Sequence, residues 1–288
     1  MKAHHYILAS LFLAGLTGAA YAQIQPETVR VPNLPNNDLV IGFNAVSGTG
    51  ASTNLEADLG SVGAYFSATA GTYTIGNLNT SLTNIYGNAW NTRSDLYFGV
   101  AGAAGSTAGG PNGQPILTIW ASSAKTGGSS PAPAWTQNGA DSCTTPNTNI
   151  GTVYNSFLTG VSLADIDSQT SAFGATLKGT SISTAAFGSW SAAGNGASLA
   201  TANAFGLAPM GSTNGVSFET TSGSGLSMDL YELVPGNGNA QDLGYFTLAS
   251  DGGLTFTAIP EASTYAALLG VASLGLVSIR RRRQTLAA

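Results

Sequence analysis

The sequence predicts a mainly β fold: an antiparallel β-sandwich-like or meander-rich domain with one or two short helices. Three observations lead there. β-forming residues arrive in short bursts separated by turn residues. Hydrophobic residues make up 43% of the chain and charged residues only 8%, the reverse of the composition that keeps a chain disordered. Near the C-terminus, three bursts and two tight-turn signals follow one another without a break. Glycine supplies 38 of 288 residues, about twice its usual ~7% share, as turn-rich β structure requires.

In chain order, Asp38 to Asn44 reads as the first strand, bounded by Pro35-Asn36-Asn37 and by Ser47-Gly48-Thr49-Gly50. Gly63 to Ala68, Asp95 to Val100 and Ile116 to Ala121 are further strand candidates. Residues 77 to 92 place Leu78, Leu82, Ile85, Tyr86 and Trp90 at spacings of three or four, which predicts a short amphipathic helix covering one sheet face. Residues 101 to 115, 122 to 150 and 188 to 215 are rich in Gly, Ser, Pro and Asn and read as loops. The body, 23 to 258, is then one sizeable β domain or two subdomains with a boundary near 122 to 150. No strict internal repeat points to a solenoid or propeller. The meander is the clearest element: Leu226 to Val234, a turn at Pro235-Gly236-Asn237-Gly238-Asn239, Asp242 to Ala249, a turn at Asp251-Gly252-Gly253, then Leu254 to Ala258. Leu226, Met228 and Leu230 share one face, as do Leu254, Phe256 and Ala258, so these strands are expected to be half-buried.

The two ends read as addresses. Residues 1 to 22 combine Lys2, an apolar stretch from Ile7 to Ala20 and the small-x-small site Ala20-Tyr21-Ala22 before Gln23, the pattern of a signal peptide handed to the export machinery. At the other end, Ile259-Pro260-Glu261-Ala262-Ser263 precedes an uncharged stretch and then Arg280, Arg281, Arg282 and Arg283. As a helix, residues 263 to 279 would reach about 26 Å, near the lower limit for a hydrocarbon core. The arginine run is expected to stay cytoplasmic, which leaves the body and Glu261 on the far side.

Pro260-Glu261, the short apolar span and the terminal arginines together resemble the PEP-CTERM sorting signal of exported bacterial proteins. The resemblance covers the 30 residues 259 to 288 and departs from the family pattern at Ala262, where a second proline is usual. It implies recognition by an exosortase-type membrane enzyme, removal of a transiently inserted helix, and delivery to the cell surface or an extracellular polysaccharide and biofilm matrix. The phrases Asn54-Leu55-Glu56, Arg93-Ser94-Asp95-Leu96-Tyr97-Phe98-Gly99 and Asp229-Leu230-Tyr231-Glu232-Leu233 are similar to stretches in a recurrent subgroup of the same family.

Chemistry in the body is sparse. Between Gln23 and Pro260 the basic residues are Arg30, Arg93, Lys125 and Lys178, against 13 acidic residues, so a phosphate-binding footprint is absent and no nucleic-acid partner is expected. Both histidines, His4 and His5, fall in the leader, which leaves no imidazole for a Ser-His-Asp triad, a Cys-His dyad or a His-ligated zinc. Cys143 has no internal disulfide partner and no neighbouring cation to activate it. Glu56 with Asp58, and Asp165 with Asp167, are spaced two apart and would share a strand face; solvated surface charge is the favoured reading of both over a glycosidase pair, and of Asp165-Ile166-Asp167-Ser168 over a Ca²⁺ site. Gly102 to Gly113 lacks the Lys-Ser/Thr ending of a phosphate cradle. Of Trp90, Trp120, Trp135 and Trp190, Trp135 in a Pro-rich loop is expected to be exposed and is the candidate glycan contact, while Trp90 and Trp120 read as core. The expectation is a noncatalytic exported protein without cofactor or metal. A carbohydrate-binding module is the alternative, and a carboxylate-dependent glycoside hydrolase a more distant one.

Overall fold

The computed structural model describes residues 36–51, 53–125, 131–136, 143–156, 169–170, 176–177, 179–183, 190, 205, 207, 217–222, 227–236 and 239–259. In chain order the elements are β1 (Asp38–Ala45), β2 (Thr53–Ser61), α1 (Val62–Phe66), β3 (Gly71–Asn77), α2 (Asn79–Tyr86), a 3-10 turn (Trp90–Thr92), β4 (Leu96–Ala103) and β5 (Ile119–Ala124). There follow α3 (Thr144–Ser156), β6 (Gln169–Thr170), β7 (Thr176–Leu177), β8 (Gly179–Ser183), β9 (Thr220–Thr221), β10 (Ser227–Leu233), β11 (Gln241–Leu248) and β12 (Gly253–Ala258). The fold is mainly β and its strand pairs are antiparallel. A ten-stranded sheet runs β3-β12-β11-β10-β5-β4-β1-β2-β8 with β9 paired to β4, while β6 and β7 pair separately.

Alternation along the strands sends one set of side chains into the main core. Ile41 and Phe43 of β1, Leu55 of β2, Phe98 of β4, Trp120 of β5 and Phe256 of β12 belong to a single cluster, so the sheet curls around it. Tyr65 of α1 sits among them, with its ring 5.7 Å from Phe246 and 4.9 Å from Phe256, and Phe43 stacks on Phe98 at 5.4 Å. Each fully buried ring or branched side chain of this kind contributes roughly 1.5–3 kcal/mol. The opposite face is covered at the centre of the sheet. Val40, Ala101, Ala121 and Tyr231 pack there with Ile150 and Val153 of α3 and with Trp135, Trp190, Phe205 and Phe218.

The first strand, the fourth and the meander lie where the sequence places them. The helix expected over 77 to 92 is α2 followed by the 3-10 turn, with Leu78, Leu82, Tyr86 and Trp90 buried. Other segments differ for physical reasons. Gly63 to Ala68 is not a strand: Ser61 caps α1 through its Oγ, which accepts from Gly63 N, and the buried residues Val62 and Tyr65 repeat at helical spacing. β5 begins three residues late because a turn holds its entrance. Thr118 donates to the Pro115 carbonyl from both N and Oγ1, Leu117 has φ 65, and Ile116 is 45% exposed. β4 continues through Ala103 into the supposed loop 101 to 115, since its small residues fit between neighbouring strands. The supposed loop 122 to 150 contains the end of β5 and most of α3, whose Asn147, Ile150, Val153 and Tyr154 form a buried stripe. β2 and β3 also form strands, and three α-helices stand where one or two were expected.

The meander is half-buried only in part. β11 and β12 alternate, but β10 is buried on both faces, because the segment 131–136 covers the side away from the core. Strands on either side of 122 to 150 share the sheet: β5 pairs with β10 from Ala124 opposite Met228 to Ile119 opposite Leu233. Among the described residues, no helix is long and apolar enough to cross a membrane. Residues 1 to 22 and the apolar stretch 263 to 279 lie outside those residues.

Candidate functional site

β2 sets up the most unusual feature of the molecule. Its odd positions, Leu55, Ala57 and Leu59, enter the main core, so Asn54, Glu56 and Asp58 share the other face. All three are buried, which corrects the expectation that Glu56 and Asp58 are solvated surface charges. Glu56 stands opposite Gly42 of β1, and Gly42 stands opposite Gly99 of β4, so the lateral row beside the carboxyl contains two successive positions without side chains.

That gap is filled by protein. A Cβ on Gly42 would lie 1.9 Å from Cδ2 of Trp190, and one on Gly99 would lie 2.9 Å from Cγ of Glu219. Trp190 joins the two glutamates: its backbone N–H donates to Glu56 Oε1 at 2.6 Å and its indole Nε1–H donates to Glu219 Oε1 at 2.7 Å. Phe205 and Phe218 close around the indole with ring separations of 5.0 and 5.9 Å. Burial pushes the Glu56 and Glu219 carboxyls up to about 8, with the bonds from Trp190 pulling the other way, so both hold their protons at neutral pH. The second oxygen of each, Oε2, has no hydrogen-bond partner among the described residues. Two carboxyls with raised proton affinity would suit acid–base chemistry; here Trp190 stands between them and donates a hydrogen bond to each.

A second cluster lies on the same face. Lys125 Nζ is 2.9 Å from Asp229 Oδ1 and 4.0 Å from the centre of the Tyr245 ring. Asp229 Oδ2 accepts from Ala132 N at 2.5 Å, and the Tyr231 hydroxyl donates to the Ala132 carbonyl at 2.8 Å. The segment 131–136 is thereby strapped over β5 and β10, and Trp135 is its anchor. Its indole Nε1 donates to the Ser122 carbonyl at 3.0 Å and the residue is 1% exposed. Trp135 is therefore not the exposed sugar platform expected from its Pro-rich surroundings. Proline removes N–H donors, but Ala132 N and O, the Pro133 carbonyl and the Trp135 indole find partners in the sheet below. Trp90, Trp120 and Trp190 are buried as well.

At the start of β4 the Arg93-Ser94-Asp95 phrase forms a clamp. Arg93 Nε and Nη2 donate to the two carboxylate oxygens of Asp95, each at 2.8 Å, while the Nη atoms also donate to the carbonyls of Ser47, Thr49 and Tyr86. The paired guanidinium, aided by the Ser47 hydroxyl, holds the Asp95 carboxyl well below the usual carboxylate range. Cys143 is buried, and burial pushes its thiol up to about 11, so it is neither an activated nucleophile nor presented for a bond between chains.

The sequence singles out Glu56, and Trp190 as one of four tryptophans, but it does not join the two, and it leaves out Glu219 and the Lys125–Asp229 pair. A legible signal existed for the second: Lys125 is one of only four basic residues in the body and directly follows a strand-forming run. The residues Ala20, Ala22, Gln23, Pro260, Glu261, Arg280, Arg281, Arg282 and Arg283 lie outside the described residues, as do Asp165 and Asp167. Among the described residues, no group of three or more His, Cys, Asp or Glu could hold a metal ion. The fold and this face together define an antiparallel β protein whose buried ionisable groups are tied into its own structure. No family model, curated protein or solved structure matches the chain.

Proposed function

We propose that the chain is a noncatalytic exported protein of the cell surface or of an extracellular polysaccharide matrix, sorted and processed through residues 259 to 288 by an exosortase-type enzyme. The supporting observation is the junction between body and tail. β12 ends at Ala258, Ile259 is 39% exposed, and Pro260-Glu261 follows at once. A cut there leaves every strand of the described sheet and the core residues named above on the released body. The noncatalytic reading is supported by how the acids of the body are used: Glu56 and Glu219 hold Trp190, Asp229 holds Lys125 and the strap, and Asp95 holds Arg93.

The body's excess of acids over bases and its many small polar residues suit a hydrated, weakly charged matrix, without the cationic surface that polyanions require. Fractionating cells that make the full chain, and cells that make a chain ending at Ile259, tests the reading. The full chain is expected at the cell surface in a shortened form and the truncated one soluble in the periplasm or medium. Identical distribution of the two would defeat it.

A further inference from the structure

We propose that Lys125 and Asp229 condense to an intramolecular amide that covalently joins the end of β5 to β10. The inference is independent of the export reading and rests on how the two side chains are enclosed. The β5–β10 register sets Asp229 opposite Ser123, so a lysine two residues further along the chain lies on the same face and reaches back to it. Nζ and Oδ1 are 2.9 Å apart with side-chain exposures of 9% and 1%. Tyr245, directly opposite Asp229 on β11, covers the ammonium with its ring, and the strap residue Ala132 closes the carboxylate side.

An ion pair enclosed this way gives up the hydration of both charges, and condensation to a neutral amide removes both charges from the interior. The nitrogen that must add to Cγ already lies against its carboxylate. Holding two reactants in such contact is equivalent to an effective concentration of roughly 10⁵–10⁸ M for well-oriented groups.

The step balances without a co-reactant. One proton passes from the ammonium to Asp229 Oδ1 and the nitrogen adds to Cγ. A second proton then moves from nitrogen to Oδ1, the Cγ–Oδ1 bond breaks, and that oxygen leaves as water. Oδ2 remains as the amide oxygen. The Ala132 N–H, 2.5 Å from Oδ2, is placed to stabilise the negative charge that develops there in the tetrahedral adduct.

Asp242 is the proton relay. It stands opposite Tyr231, diagonal to Asp229 across the β10–β11 pair, and its ionisation is coupled to the charges of both Asp229 and Lys125. Burial pushes its carboxyl up to about 6, which lets it both give and take a proton near neutral pH. The resulting bond would close the chain between two central strands of a body whose lone cysteine provides no internal disulfide.

The test is mass spectrometry on the purified full chain after incubation at neutral pH and denaturation. The expected result is a mass lower by one water and, after digestion, a branched peptide joining Lys125 to Asp229. Lys125→Arg should lose both while keeping its folded circular dichroism, and Asp242→Asn should slow formation of the link by roughly 10²-fold. Recovery of the two peptides separately at full mass would overturn the proposal, leaving an ordinary ion pair. A water loss that persists in Lys125→Arg, as a succinimide at an aspartate would give, would overturn it too.

Discussion

Trp190 occupies the space in which a side chain at Gly42 would stand, with Cδ2 1.9 Å and Cε2 2.2 Å from where that Cβ would lie. The contact is with the rigid ring system, not with the end of a flexible chain, so it cannot be relieved by a rotamer change. Gly42→Ala is expected to displace the indole and break its bonds to Glu56 and Glu219. The cost is about 1–3 kcal/mol, typical of overpacking a close-packed site, read as a lower denaturation midpoint with red-shifted tryptophan emission. An unchanged midpoint and spectrum would mean that Trp190 does not rest on the glycine.

The same site makes stability depend on pH in a definite direction. Both glutamates have folded values near 8 against a reference of 4.5, so between those values the folded state keeps protons that the unfolded chain releases. Their contribution is fully present below about 4.5 and is lost as pH rises through about 8. Asp242, raised to about 6, adds to the same trend over the lower part of that window. Asp95 works in the opposite sense, since its lowered carboxyl contributes stability above its ordinary value of 3.8 and loses it as pH falls. Thermal midpoints measured across the range should fall toward alkaline pH, and the double variant Glu56→Gln, Glu219→Gln should flatten that fall.

Arg93 joins three chain segments. Its guanidinium holds Asp95 in a fork and reaches the carbonyls of Ser47, Thr49 and Tyr86, tying the loop after β1 and the end of α2 to the start of β4. A lysine ammonium cannot reproduce the planar fork, so Arg93→Lys is expected to destabilise by about 1–3 kcal/mol despite keeping the charge. Amide hydrogen exchange should quicken in residues 46 to 51 before it does so elsewhere in the sheet.

Tyr86 carries out a related task inside the core. Its hydroxyl donates to the Phe43 carbonyl at 2.9 Å and accepts from Leu55 N at 3.0 Å, linking α2 to β1 and β2. Tyr86→Phe leaves the ring volume in place but strips partners from buried backbone groups, and about 1–3 kcal/mol of stability should go with them in chemical denaturation.

Strands that are apolar on one side and bounded by turns were legible from the sequence, as the recovery of β1 and the meander shows. α2 was legible because Leu78, Leu82, Tyr86 and Trp90 repeat at helical spacing. The double-sided burial of β2 was not, because Asn54, Glu56 and Asp58 alternate with Leu55, Ala57 and Leu59 in a pattern that ordinarily means a strand with one wet face. Here a second layer covers that face, and the row Glu56–Gly42–Gly99 exists only through strand pairing. α3 was hidden by composition: its Thr, Asn and Gly residues resemble a loop, and its stabilisation comes from packing, as with Tyr154 donating to the Asp38 carbonyl at 2.5 Å. The exposure expected of Trp135 failed for a similar reason, since a Pro-rich run says how the backbone is extended but not what lies beneath it.

The most direct measurement is the intact mass of the protein recovered outside the inner membrane of cells expressing the full chain. The account predicts a molecule that begins at Gln23 and ends close to Pro260-Glu261, without Arg280, Arg281, Arg282 or Arg283. Surface or extracellular protein that still carries the four arginines would contradict it.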